Sequence, residues 1–510
     1  MSSRSEEQRP INLPLLDQEE SNDDVEIGNI QDPVQFLLHS AKNHRNKISP
    51  SIHMIPSRIR HLNPRVFNPR QVSIGPLHRK RKNLKAFEGT KAIFLHDLLH
   101  YSGVPPEQIL ETCVQKVNAS LGRIKACYGN GMKSYSDDQI TRMMVMDGCF
   151  ILEFIYKLLK HKFDEEMVIE PISMAFDLVL LENQIPFLVL EHIFECTSSR
   201  FQPEVASLNA LIILGLIPAL GFLDLKCKKN KVFDGTDHIL GFIHECYRPL
   251  PLCDKLPSDS FENRILGFIQ DCYRPLCDAV KKAVEKIQTP DLGIDVNAQS
   301  SEDFEIDLSS NSDKFYSAVE LDRSGVNFKP HHQPSPKNKK DGKWSMDIEL
   351  TFPLCFWCRP WAKPTLRMPV MRIHNYTELV FRNLIAYEQL SPGSVCHYVT
   401  SYAIAMDRLI DNHEDVARLV KSQVLINTIG SNEEAAKLIN DLRKEISSPH
   451  FFYVQVWKEM NGYHDRVVPR NIAKLRRTYF SNPWSSIALF AGIFLFLFTL
   501  VQTYYTINPV

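Results

Sequence analysis

Apolar residues recur with helical spacing through most of the chain. The clearest stretch is Ser136–Lys160, where Ile140, Met143, Met144, Asp147, Phe150, Ile151 and Phe154 fall near one face of a helix. The same period predicts helices over Lys85–Tyr101 and Pro106–Cys127. In the second half it predicts Glu378–Gln389, capped by Thr377, then Cys396–Asn412, Glu414–Asn427, Asn432–Glu445 and Phe451–Tyr463. A shorter helix at Gln31–Ser40 has Asp32 as N-cap and Pro33 in its first turn. Ser49–Pro76 breaks the pattern. Pro50, Pro56, Pro64, Pro69 and Pro76 cannot sit inside helices, which leaves Ile52–Ile55 and Gln71–Ile74 as extended pieces joined by turns. Short bursts at Val326–Phe328, Met346–Thr351 and Leu366–Ile373 predict a small antiparallel sheet.

Hydrophobicity is densest near the end. Ser481–Val510 contains no charged residue, and Ile487–Val501 is almost purely apolar. Its eleven Leu, Ile, Phe and Val side chains favour bilayer insertion by roughly 5 kcal/mol. The predicted anchor comprises Trp484, Ile487, Leu489, Phe490, Ile493, Phe494, Leu495, Phe496, Leu497, Phe498, Leu500, Val501, Tyr504 and Tyr505, with the aromatic residues at its two ends placed as interfacial belts. Arg466, Arg470, Lys474, Arg476 and Arg477 precede it and no basic residue follows. By the positive-inside rule the bulk is expected in the cytosol, single-pass and tail-anchored, in contact with membrane lipid; plasma membrane and endomembrane are not distinguished. The fold class is therefore mainly α: a helical domain with a small antiparallel β element and one C-terminal transmembrane helix.

A second uncharged run, Val205–Leu223, contains Asn209, Gly215, Pro218 and Gly221 and lacks aromatic ends, so it reads as a buried helix before it reads as a second span. The predicted organisation has a disordered acidic tail over 1–30 and a helical N-terminal part over 31–288. A polar linker with loops follows over 289–345, then a C-terminal part with small sheet and helices over 346–480, and the span over 484–505. One internal repeat is visible: Ile239–Leu250 recurs as Ile265–Leu276, identical at ten of twelve positions. Two copies are too few for a solenoid, so this reads as a local tandem duplication.

Composition narrows the function. The 510 residues are 44% hydrophobic and 23% charged, enough to bury a core. Lys+Arg 59 against Asp+Glu 60 leaves a net charge of -1, which argues against a dedicated nucleic-acid binder. Twelve cysteines in so long a chain do not make a secreted disulfide scaffold, and no signal peptide opens it.

Candidate chemistry is sparse. Cys355–Cys358 has CxxC spacing, but no second pair completes a zinc site and no βαβ setting supports a redox pair. His78–Lys82 is a basic run that fits a solvated loop, an import signal or an anionic-lipid contact, and a DNA-associated role through it is the remotest class. Asn118 and Asn375 open glycosylation sequons, idle if the bulk is cytosolic. Asp147, Asp177 and Glu182 are acids in apolar contexts, where carboxyl pKa values rise. No nucleophile elbow, HExxH or phosphate-binding glycine loop accompanies them. The expected reading is a protein-interaction or recognition/signalling module without cofactor, metal or small-molecule ligand, its protein partner unidentified; the alternative is an enzyme using those carboxylates.

Several short motifs, in order, resemble the plant domain-of-unknown-function 247 family. They are Ile55-Pro56, Arg60, Phe67-Asn68-Pro69, and Val72, Ser73, Ile74, Gly75 and Pro76. Next come Met143-Met144, then Asp147, Gly148 and Phe150, then Asp177, and Leu181, Glu182, Asn183, Gln184, Pro186 and Phe187. Last are Glu320-Leu321, Gly325-Val326, Arg382, Asn383 and Leu384, Glu388, Asp407, Leu409-Ile410 and Asp415-Val416. The resemblance covers about residues 45–505. It implies a largely helical land-plant protein ending in one span, without established catalysis, some relatives being implicated in grass self-incompatibility and others in growth or stress responses. Leu77-His78-Arg79-Lys80 departs from the family's usual continuation after Gly75-Pro76, and the duplication is an addition. Physically, Pro69, Gly75 and Pro76 enforce a rigid extended segment that packs on helices. Asp147 and Glu182-Asn183-Gln184 are placed to satisfy its backbone donors.

Overall fold

Ser136 and Gln139 form a reciprocal capping box, with Gln139 Oε1 accepting from Ser136 N at 3.0 Å, and start the helix Asp137–Lys160. In the computed structural model, which describes residues 50–100, 104–163, 170–201, 203, 205–223, 237–249, 315–331, 346–352, 363–391, 395–446, 451–465 and 483–507, this helix is the centre of the first half. Twelve consecutive residues, Asp147–Leu158, are buried, so the helix is enclosed on every face rather than amphipathic. Helices Glu88–Leu99, Pro106–Ala119 and Phe187–Thr197 pack around it. A Cβ on Gly148 would lie 2.4 Å from Ile193 Cδ1, so glycine lets Phe187–Thr197 rest on the backbone of the central helix.

The run Val205–Leu223 is a buried rod: Leu208–Leu211, a π-helical turn Ile212–Leu216, then Ile217–Leu220, packed on the central helix. Pro106–Cys127, expected as one helix, divides at Ser120 into Pro106–Ala119 and Leu121–Tyr128. In the second half Thr377–Leu390 is the core element, flanked by Ile239–Cys246, Tyr398–Leu409 and Asn432–Leu442. Tyr376, not Thr377, is its N-cap; Thr377 Oγ1 instead accepts from His374 N at 2.9 Å.

The β structure differs from the expected antiparallel sheet. Strands β1 (Asn327–Pro330) and β3 (Thr365–Met368) pair in parallel, and β2 (Glu349–Thr351) pairs antiparallel on the other side of β3. A second ladder joins β4 (Met371–Ile373) in parallel to β5 (Leu425–Asn427). That second ladder corrects the helix expected over Glu414–Asn427. The helix His413–Lys421 stops at Ser422, Gln423 takes a positive φ of 61°, and the chain leaves as β5. The local apolar pattern was compatible with either element, and pairing with β4 decided it.

The C-terminal helix Pro483–Ile507 spans 25 residues. Its side chains are described continuously only over Trp484–Thr499; those of Leu500, Val501, Tyr504 and Tyr505 lie outside the described residues. Among the described residues, no helix is long and apolar enough to cross a membrane. The acidic tail, the Gln31–Ser40 helix, Cys355–Cys358, the second copy of the repeat and the basic residues Arg466–Arg477 also lie outside the described residues.

Candidate functional site

Residues 50–79 supply few backbone partners to one another, yet Val72–Pro76 is buried. Buried N–H groups need acceptors, and side chains from two helices and the turn that precedes Phe187–Thr197 provide them. Asp177, the last residue of the helix Pro171–Asp177, accepts from Arg70 N at 2.9 Å, Gln71 N at 2.8 Å and Val72 N at 3.0 Å. Asn183 accepts from Ile74 N at 2.7 Å and donates to Val72 O at 3.0 Å and Asp177 O at 2.9 Å. Asp147, on the central helix, accepts from Gly75 N at 2.8 Å. Gly75 has φ +69°, and a Cβ there would meet Gln184 O at 2.6 Å, so glycine is required for both conformation and approach.

Two ion-paired clusters brace this clasp. Asp147 and Lys91, both fully buried, meet at 2.6 Å; Lys91 Nζ also donates to Ser73 O and to Glu88 Oε1 at 2.8 Å. Arg79 reaches Glu88 at 2.6 Å and Asp147 at 3.4 Å. In the other cluster Glu182 accepts from Ile55 N at 2.6 Å and from Arg60, and its second oxygen lies 3.1 Å from His78 Nε2 without hydrogen-bond alignment. Burial pushes Glu182 up, but His78, Arg60 and the Ile55 amide overcome it and hold its pKa below the usual value. Burial lowers the His78 pKa against the pull of Glu182. Asp177 is pushed up to about 6 by burial, with its three backbone donors opposing.

The remaining signature residues extend the same framework. Asn383 joins the halves, accepting from Leu181 N at 2.9 Å and donating to Val66 O at 2.8 Å. Gln184 serves other strands of chain: it donates to Leu178 O at 2.7 Å and accepts from Leu240 N at 3.2 Å. Pro186 is the N-cap of Phe187–Thr197, and Tyr135 donates to Pro76 O at 3.2 Å. Arg382 pairs with Glu378 at 2.7 Å, while Phe150, Leu181 and Leu384 are core. Glu388 anchors a separate buried network. It accepts from Val399 N and Thr400 N, both at 2.8 Å, and pairs with His244 Nε2 at 2.8 Å; Tyr398 Oη meets His244 Nδ1 at 2.8 Å. Burial pushes His244 down, yet Glu245 and Glu388 raise its pKa above the ordinary value.

The His78–Lys82 run is only in part the solvated loop expected of it: Lys80 and Lys82 are exposed, but the other three side chains are engaged. His78 is buried on Glu182, Arg79 is engaged as above, Arg81 donates to Asn68 at 2.8 Å, and Lys80 lies over the Tyr135 ring. Lys91 was missed by sequence reasoning, although a lysine one turn before Phe94 and two before Leu98 on an apolar helix face is a signal for a buried partner. Arg60 and His78 as partners of Glu182, and the Glu388–His244–Tyr398 network, were missed as well; their sequence separations hide them.

Chemically, these carboxylates are acceptors for the fold: each of Asp147, Asp177, Glu182 and Glu388 is at most 1% exposed and faces backbone or cationic donors. A mainly helical scaffold closed by a polar clasp is the class this defines. The chain belongs to the DUF247 family, described as a plant protein of unknown function, which it matches over residues 52–498. It is similar to the UPF0481 protein At3g47200 of Arabidopsis thaliana, 24% identical over 93% of this chain and 88% of that protein. It is also similar to the putative UPF0481 protein At3g02645 of the same plant, 23% identical over 90% of each chain. No solved structure matches.

Proposed function

We propose that this is a membrane-attached interaction protein, its helical body held at the cytosolic face by the segment around Pro483–Ile507. The observation that carries the reading is the exposure of that helix. Phe494, Leu495, Phe496 and Leu497 are consecutive, hence about 100° apart, and are 60%, 68%, 64% and 50% exposed. Apolar surface on every side of a helix has no favourable solvent but lipid or protein. The sixteen continuously described side chains, Trp484–Thr499, fall short of the roughly 20 a bilayer requires. Leu500 and Val501 continue the apolar run in sequence, and 25 helical residues extend about 37 Å. The basic residues Arg466–Arg477 before the helix favour the cytosolic side for the bulk.

An interaction role is favoured over catalysis because the acids an enzyme would use are already committed to backbone donors. The test is alkaline extraction of plant membranes holding the full chain or a chain ending at residue 480. The full chain should stay in the pellet and the shorter one leave it; equal partition would reject the anchor. Sugar on Asn118 or Asn375 would reject the cytosolic orientation.

A further inference from the structure

We propose that Cys196 and Cys113 form a reversible oxidation site, in which a hydroperoxide oxidises Cys196 and Cys113 closes a disulfide with it. The two residues lie on the helices Phe187–Thr197 and Pro106–Ala119, which run antiparallel along one seam: Ser120 Oγ lies 2.9 Å from His192 Nε2, and Lys116 Nζ donates to Glu195 at 2.7 Å. One turn further along, Cys113 is three residues before Lys116 and Cys196 is four after His192, so the helical repeat sets the two thiols opposite each other. They are hydrogen-bond partners there, and Cys149 of the central helix lies close to both.

The three thiols differ in access. Cys196 is partly exposed, whereas Cys113 and Cys149 are fully buried, so of the three an oxidant from solvent meets Cys196 first. The Lys116 ammonium lies within electrostatic reach of Cys196, a cationic neighbour of the kind that redox-active cysteines have. Burial pushes the Cys113 thiol up to about 12, and Cys196 adds to the shift, so Cys113 stays a thiol at neutral pH and acts as the resolving partner. In the first step the Cys196 thiolate attacks one peroxide oxygen: an S–O bond forms, the O–O bond breaks, and the second oxygen leaves as water with the proton the thiol gave up. The sulfur is oxidised to a sulfenic acid and the peroxide is reduced. Cys113 Sγ then attacks Cys196 Sγ: the S–S bond forms, the S–O bond breaks, and hydroxide leaves with the Cys113 proton as water. The product staples the two helices across their seam, and thiols reverse it by exchange.

The test is hydrogen peroxide treatment of the full chain in detergent micelles, read by mass spectrometry of non-reduced tryptic peptides. It compares wild type with Cys113→Ser, Cys196→Ser and, as a control, Cys396→Ser, which removes a more exposed thiol. Wild type and the control should give a linked Cys113–Cys196 peptide that dithiothreitol abolishes. In Cys113→Ser the sulfenic acid on Cys196, trapped with dimedone, should persist about tenfold longer or more than in wild type, because the neighbouring nucleophile is gone. In Cys196→Ser, Cys113 should stay reduced. Wild type without that link, Cys149 in the link in place of Cys113, or Cys113 oxidised in Cys196→Ser would overturn the site. The first two results are read on the unaltered chain and do not depend on how a variant folds.

Discussion

Replacing Lys91 with methionine removes one charge from a pair in which both partners are fully buried and 2.6 Å apart. Asp147 would keep the Gly75 amide at 2.8 Å and Arg79 at 3.4 Å, too little to offset a carboxylate in the core. Breaking a buried pair by removing one partner costs about 3–5 kcal/mol. Asp147→Asn should cost a similar amount, because it leaves the Lys91 ammonium with only Ser73 O and Glu88. The double variant carries no net charge at the site and retains an oxygen for the Gly75 amide. It should therefore lose only about 1–3 kcal/mol, far less than the sum of the singles. Urea unfolding of the full chain in micelles, followed by circular dichroism, measures all three. Singles that each lose less than about 1 kcal/mol, or a double variant equal to their sum, would refute the reasoning.

Gly75→Ala should lower stability by about 2 kcal/mol or more, since it combines a positive φ with a Cβ 2.6 Å from Gln184 O; a thermal melt checks it. His238 is fully buried and pushed down to about 4 by desolvation, so the folded state holds it neutral while the unfolded chain protonates near 6.5. Its contribution is present above the unfolded value and is lost as pH falls from about 6.5 to 4, by about 3 kcal/mol. Asp177, raised to about 6, has the opposite slope and loses stability as pH rises from 3.8 to 6. His238→Asn should thus gain about 3 kcal/mol relative to wild type between neutral pH and about pH 4 in urea titrations.

Much of the helical framework was legible because periodicity and caps are local. Ser136 and Gln139 announce the central helix, and Glu88–Leu99, Asp137–Lys160, Tyr398–Leu409 and Asn432–Leu442 fall within predicted segments, whereas Pro171–Asp177, Phe187–Thr197 and Ala318–Arg323 were not predicted. The acceptor role of Asp147 and Asn183 was legible too, because a proline-broken buried segment must find partners outside itself. Long-range choices were not. β5 needs β4, 54 residues away, to be a strand; the Asp147–Lys91 pair needs two helices to pack before either charge is tolerable. The basic run at 78–82 was read outward because a charge run is usually solvated, yet Glu182 and Glu88 draw its residues in. The parallel pairing of β1 with β3 likewise depends on a connection that strand alternation does not encode.

The clasp substitutes side-chain acceptors for a sheet ladder, and amide hydrogen exchange on the full chain reads that substitution directly. The amides of Arg70, Gln71, Val72, Ile74 and Gly75 should exchange as slowly as those of the central helix, despite lying in neither helix nor strand. Exchange of that segment at the rate of an exposed loop, while Asp147–Leu158 stays protected, would contradict it.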